Sequence, residues 1–184
     1  MQKTFPGTTI EVTQLEKGSS QRLFDGIFAA GGITLSQVSV MTGLEPYMIQ
    51  NWVKRGFLTS PVKRMYSKEQ FSRIVIINML RETLHIERIC ELIQVIAGVL
   101  DDDSDDLISD DELYHRYVDM LSSINGEKMD RESVALAAEK AVDDFVERQP
   151  NSKKQLANIL EVMLYAYAAA KLRKTADEIF STLQ

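Results

Sequence analysis

The chain predicts an all-α fold, and three observations carry that expectation. Apolar residues recur every three or four positions over most of its 184 residues, the spacing of one helix face. The segments patterned this way open on residues suited to cap a helix, among them Thr34, Ser67, Ser109, Asp130 and Ser152. They close on glycine or proline, at Gly31-Gly32, Gly43, Gly56, Asn125-Gly126 and Pro150.

Four regions follow from this pattern. Residues 1–32 form an N-terminal arm and helix, 33–100 a helix-turn-helix region, 101–111 an acidic linker, and 112–184 a helical domain ending in one long helix. Met1 to Ser20 is polar and reads as a loose arm, with Thr8 to Leu15 either extended or simply part of it. Ser19-Ser20 then caps a short helix carrying Leu23, Phe24, Ile27 and Phe28 on one face.

The next helix begins after Thr34 or Ser36 and places Leu35, Val38 and Met41 on one side. Gly43 supplies the positive φ that a sharp turn between packed helices demands. Pro46 suits a first helical position, where its missing N–H would be unpaired anyway. In the helix it opens, Ile49, Trp52 and Val53 form the inward stripe, followed by Phe57 and Leu58. Tyr47, Gln50, Asn51 and Lys54 are left facing outward. Amide, hydroxyl and ammonium groups on one helix face suit base edges and phosphates, although many surface helices look alike. A short basic loop, Thr59 to Tyr66, comes directly afterwards, with Pro61 stiffening its approach. Its Lys63 and Arg64 are placed to reach a nucleic-acid backbone beside the helix.

These residues together resemble the DNA-binding domain of the MerR family, a winged helix-turn-helix. The resemblance rests on Gly43, on Lys54-Arg55-Gly56-Phe57-Leu58, on Arg64-Met65-Tyr66 in the wing, and on Ser67 opening the next helix. It covers about a third of the chain. Met48 to Lys54, with Lys63-Arg64-Met65-Tyr66-Ser67, is more similar still to a bacterial family of uncharacterised helical proteins known only as a domain of unknown function. The MerR resemblance implies DNA contacts from Tyr47, Gln50, Asn51 and Lys54 in the helix and from Arg64 and Tyr66 in the wing. Two departures weaken phosphate clamping: Gln50 and Asn51 stand where MerR proteins usually carry arginine and tyrosine, and the wing is short.

Beyond the wing, Ser67 and Gln70 make a capping box for a helix through Phe71, Ile74, Val75, Asn78 and Leu80 to about Thr83. A further helix, Ile86 to about Leu100, turns Ile89, Cys90, Ile93, Ile96 and Ala97 inward. Asp101 to Glu112 is the oddest stretch. Asp101, Asp103, Asp105 and Glu112 occupy the first, third, fifth and twelfth positions of an EF-hand calcium loop, with Ile108 at the apolar eighth. Asp106 stands where that loop needs glycine, and so many acids match a carboxylate template by chance. The competing reading is a solvated acidic linker ending in the capping box Ser109 to Glu112. Three helices complete the chain: Glu112 to Ile124, a helix capped by Asp130 and running to about Gln149, and one from Ser152 to about Leu183. The last would be about 45 Å long, more than so small a domain covers, so part of it is expected to pair with another chain, with core packing inside one chain as the rival reading of its apolar stripe.

Composition narrows the function. A 45% hydrophobic content is globular, no apolar run spans a bilayer, and a cytoplasmic protein without membrane contact is expected. The single cysteine, Cys90, permits no internal disulfide and reads as a buried inert thiol. The net charge of −6 is unevenly shared: Ile33 to Cys90 carries eight basic and four acidic residues, leaving the remainder at −10. A basic region joined to an acidic one suits a regulator, whose acidic part limits nonspecific phosphate binding. Two histidines, one of them His85 at a helix start, and no phosphate loop leave no assembled catalytic chemistry. The expected function is sequence-specific double-stranded DNA binding in transcriptional regulation, by a homodimer joined through the C-terminal helices, with no cofactor or metal. The alternative is a protein-interaction module on the same scaffold.

Overall fold

The computed structural model describes residues 3–97, 107–124, 129–147 and 149–183, with the backbone alone for Ile96 and Ala97. The expectations for Ile96, Ala97 and Leu100, for Asp101, Asp103 and Asp105 as calcium ligands, and for the Asn125-Gly126 stop fall outside that description. Eight helices and four two-residue strands are described, so the chain is mainly α. In order they are β1 (Lys3–Thr4), β2 (Glu11–Val12), α1 (Ser19–Ile27), β3 (Ile33–Thr34), α2 (Leu35–Thr42) and α3 (Pro46–Lys54). Then come β4 (Met65–Tyr66), α4 (Lys68–Leu80), α5 (Ile86–Ala97), α6 (Asp110–Ser123), α7 (Arg131–Ala141) and α8 (Ser152–Ser181). β1 pairs antiparallel with β2, and β3 antiparallel with β4.

The molecule is built around α4. Phe71, Ile74, Val75, Ile76, Ile77 and Leu80 are all fully buried, and so are Ser72 and, nearly, Arg73. A helix apolar on all sides must be covered on all sides. α2, α5, α6 and α8 supply the cover. Each of these large side chains contributes about 1.5–3 kcal/mol on leaving water. Ser67 caps α4 as expected: its hydroxyl accepts from Gln70 N at 3.1 Å while Gln70 Oε1 accepts from Ser67 N at 2.9 Å. Thr34 caps α2 by the same reciprocal arrangement with Gln37.

The N-terminal segment departs from expectation. It is a docked hairpin, with Phe5 buried and Gly7 pressed against α4. Gly7 has φ of +74°, and a Cβ there would lie 2.3 Å from the Val75 carbonyl oxygen, so only glycine fits. Tyr114 Oη donates to Pro6 O at 2.8 Å, Asn78 Nδ2 donates to Gly7 O at 2.9 Å, and Thr9 N donates to Met41 O at 2.8 Å. Polar composition alone concealed these anchors. The expected Ser19-Ser20 cap is also replaced. Gly18 in the left-handed conformation precedes α1, and Ser20 is buried with its hydroxyl 2.9 Å from His115 Nδ1. Burial pulls the His115 pKa down, keeping the imidazole neutral.

The acidic linker is shorter than expected. Ile108 is buried, and Asp110 begins α6 and is buried against Arg73, whose Nε donates to Asp110 Oδ2 at 2.5 Å. Ser109 caps this helix by accepting from Glu112 N at 3.4 Å. Glu112 itself binds Arg116 at 2.8 Å. The buried apolar side chains run in one cluster from Phe5 to Ala166, so the regions before and after the acidic stretch share a core. The Asp130-capped helix stops at Ala141 rather than near Gln149. There Arg116 Nη1 donates to the Ala141 carbonyl at 2.8 Å, and Lys153 Nζ donates to the Asp143 carbonyl at 2.9 Å. These cations satisfy carbonyls that helix continuation would otherwise have bonded.

α8 has two apolar faces. Leu156, Ile159, Leu160, Met163 and Leu164 are buried in the core. On the opposite side Val162, Tyr165, Ala169, Leu172, Ala176, Ile179 and Leu183 recur at alternating spacings of three and four. That face is open: Val162 is 42%, Leu172 72%, Ile179 61% and Leu183 76% exposed. Every residue from Lys171 to Leu183 is exposed. From Lys171 onward the helix adds no buried side chain to the core, although Arg173 still pairs with Glu82 just past the end of α4.

Candidate nucleic-acid interface

Local sequence positions α3. Glu45 and Pro46 start it, Ile49 and Trp52 turn inward at 0% and 6% exposure, and Gly56 at φ +75° ends it. Side chains three and four positions apart share a face, so fixing Ile49 and Trp52 inward sets the remainder outward. Tyr47 is 68% exposed, and Gln50, Asn51 and Lys54 are exposed with it. No other segment of the described chain covers them.

The basic loop forms a two-residue hairpin. Val62 N donates to Met65 O at 3.1 Å and Met65 N to Val62 O at 2.9 Å, placing Lys63 and Arg64 at the tip. Both have positive φ, 50° and 66°. Such a tip usually takes Asn-Gly, because left-handed backbone costs other residues about 1–2 kcal/mol each. Two long cations are therefore displayed at an energetic cost that glycine would remove.

Three features hold this hairpin in place. β4 pairs with β3 in the register Ile33 to Tyr66 and Thr34 to Met65. Gly32 permits the close approach, since a Cβ there would lie 2.8 Å from the Tyr66 carbonyl oxygen. Gln70 Nε2 donates to Thr59 Oγ1 at 2.7 Å and to Ser60 O at 3.0 Å, fixing the strand of chain that enters the hairpin. Sequence reasoning found Gln70 only as a cap. Its second role needs both sides of one amide group, which periodicity does not display.

The helix and the hairpin tip meet across a cleft of about 340 Å³ lined by Leu35, Gln50, Val53, Pro61, Arg64 and Tyr66. Gln50 and Arg64 thus face the same space. Tyr66 is the exception among the expected contact residues. It is only 3% exposed, and burial raises the pKa of its hydroxyl. The ring forms part of the cleft wall and the core beneath it, so Tyr66 is a support for the hairpin rather than an outward contact. The alternation along β4 sends Met65 out and Tyr66 in.

Charge is sorted unevenly over this surface. Arg55 pairs with Glu87 at 2.6 Å and lies 4.5 Å from the centre of the Phe57 ring. Lys68 pairs with Asp111 at 3.0 Å and Asp25 at 3.3 Å, and its hydrogen bond to Asp111 raises its pKa. Arg73 is buried with Asp110. Lys54, Lys63 and Arg64 make no ion pair among the described residues. The cations without carboxylate partners in this region therefore include the three on α3 and the hairpin tip.

Other chemistry is sparse. Among the described residues no group of three or more His, Cys, Asp or Glu side chains is placed to hold a metal ion. Cys90 is buried, which pushes its thiol pKa up and keeps the reactive thiolate scarce. No helix among the described residues is long and apolar enough to cross a membrane.

No curated protein and no solved structure matches the chain. Residues 32–117, from the glycine beneath the hairpin to the middle of α6, match the model of a bacterial family described as a domain of unknown function, DUF1836.

Proposed function

We propose that the protein binds double-stranded DNA and acts as a transcriptional regulator. The α2–Gly43–α3 unit and the Lys63-Arg64 hairpin are read as a MerR-like winged helix-turn-helix. The observation that supports this reading most strongly is the position of three cations without ion pairs, Lys54, Lys63 and Arg64, on the edge that also exposes Tyr47, Gln50 and Asn51. In this reading α3 enters the major groove, where Gln50 and Asn51 contact base edges, while the hairpin cations contact phosphates. The left-handed tip fits the same purpose: the Val62–Met65 hydrogen bonds hold two cations in a strained turn that glycine would occupy at lower cost.

The open face of α8 supports a homodimer. Its three-and-four repeat is the seam of a coiled coil, and a symmetric pair would present two α3 helices to half-sites about 34 Å apart.

One observation favours a second reading, a protein-interaction module. The cleft has apolar walls, and Val62 at 72% and Met65 at 37% exposure flank it. An apolar side chain of a protein partner would fit there.

Salt separates the two. Fluorescence anisotropy with a random-sequence duplex is expected to give a log–log salt slope that falls by about two in Lys63→Ala/Arg64→Ala. An unchanged slope, or no binding at low salt, favours the protein partner.

A further inference from the structure

His115 is a buried titratable group in α6 that the proposed function does not use. The side of α1 that covers it is made by Ser20 and Phe24, both fully buried. The Ser20 hydroxyl lies 2.9 Å from Nδ1, and the Phe24 ring meets the imidazole edge-on with centroids 5.1 Å apart. Phe24 also stacks on Tyr114 at 5.1 Å, and Tyr114 lies 5.9 Å from the imidazole on its other side chain neighbour's helix, α6. The second ring nitrogen, Nε2, is buried and has no hydrogen-bond partner among the described residues.

This arrangement suits a neutral ring and not a charged one. In the neutral ring Ser20 either donates to Nδ1 or accepts from it, and Nε2 leaves one lone pair or one N–H unmet. Protonation makes both nitrogens donors and adds a charge that burial penalises, with no acceptor at Nε2 among the described residues. The charged groups around the ring are otherwise engaged. Asp25 faces it from α1, Lys68 from α4, and Asp111 and Asp119 from α6. Lys68 pairs with Asp25 at 3.3 Å and Asp111 at 3.0 Å, while Asp119 Oδ1 accepts from Gly18 N at 2.7 Å. Tyr114, the other titratable neighbour, donates its hydroxyl to Pro6 O. Burial outweighs the pull of the three carboxylates, so the His115 pKa lies below its usual value.

We infer that His115 is an acid-sensitive latch: a proton taken up on its imidazole releases the Ser20 and Phe24 face of α1 from α6. A histidine held neutral while α1 is docked, and free to titrate when it is not, takes up a proton on release. Docking is therefore at full strength above about pH 6.5 and weakens as pH falls below that value toward the docked-state pKa. A single proton limits the change to about tenfold per pH unit. α1 leads through Gly31-Gly32 into β3, the strand that pairs with β4 of the Lys63-Arg64 hairpin. The latch is independent of the DNA reading, because it uses no residue of α3 or the hairpin.

Hydrogen exchange on the full chain tests it, expressed as protection factors so that the intrinsic pH dependence of exchange cancels. Between about pH 7.5 and 5.5 the α1 amides are expected to lose protection about three- to tenfold, with those of α7 unchanged. His115→Asn, whose amide can keep the bond to Ser20 but cannot titrate, is expected to show no such loss. A second readout needs no variant: the wild-type chain has only one other histidine, and the His115 imidazole resonances are expected to titrate below about pH 6.5. Flat α1 protection, a loss shared equally by α7 or by His115→Asn, or a His115 midpoint at or above about 6.5 overturns the latch. No DNA enters either readout, so failure here leaves the proposed function standing, and the reverse.

Discussion

Lys63 and Arg64 are the residues at which stability and the proposed function oppose each other. Both sit at positive φ with no compensating ion pair among the described residues. Replacing Arg64 by glycine relieves about 1–2 kcal/mol of left-handed strain and returns about half of that through the freer unfolded chain. Arg64→Gly is therefore expected to raise unfolding free energy by about 0.5 kcal/mol in urea while lowering DNA affinity. A variant that loses both, or gains both, contradicts the functional reading of the strained tip. The presence of two cations here was legible in the sequence, but their backbone was not. Lys-Arg carries none of the Asn-Gly signal for such a turn, and the bonds between Val62 and Met65 are what impose it. Tyr66 misled for a related reason. Its family resemblance concerns a hydroxyl beside cations, whereas strand alternation, which buries its ring, depends on pairing with Ile33.

At the scale of elements, capping and periodicity carried most of the fold. Thr34, Ser67, Ser109 and Asp130 cap where the sequence placed them, since each acts on the backbone N–H three residues on. What was missed depends on partners distant in sequence: the N-terminal hairpin on Tyr114 and Asn78, the early end of α7 on Arg116, and the burial of Asp110 on Arg73. The Arg73–Asp110 pair joins α4 to α6 with both side chains under a tenth exposed. Removing one partner leaves the other charge buried alone. Asp110→Leu is expected to cost about 3–5 kcal/mol, and adding Arg73→Met to recover most of it. If the double variant is as unstable as the single one by denaturant melt, the pair is needed for more than mutual neutralisation. α8 makes the opposite case, an element whose surplus was visible at once. Its length exceeds the core, and its outward face repeats on the coiled-coil spacing. Ile179→Asp is expected to leave the helical content intact and convert a dimer into a monomer by light scattering. A wild-type monomer would show instead that the seam serves another surface.

At the scale of the whole molecule, a basic helix-turn-helix region and the acidic C-terminal helices share one core, with α4 packed against α2, α5, α6 and α8. The buried side chains are continuous from the N-terminal region to α8, and the N-terminal hairpin is hydrogen-bonded both to the end of α2 and to α6. Periodicity yields the helices but not this continuity, because an acidic run reads as solvated linker until the cation that buries one of its aspartates is known. The DNA reading rests on all these scales together: side chains without ion pairs at the tip, a helix turned outward by its buried stripe, and the proposed dimer that would double the contact. It is tested most directly by enriching random genomic fragments on the purified protein, with Lys63→Ala/Arg64→Ala alongside. The account predicts a set of wild-type fragments sharing a two-fold symmetric motif with half-sites about one helical turn apart, and loss of that set in the double variant. Recovery of the same fragments by both proteins, or of no common motif by the wild type in 50 mM salt, would contradict it.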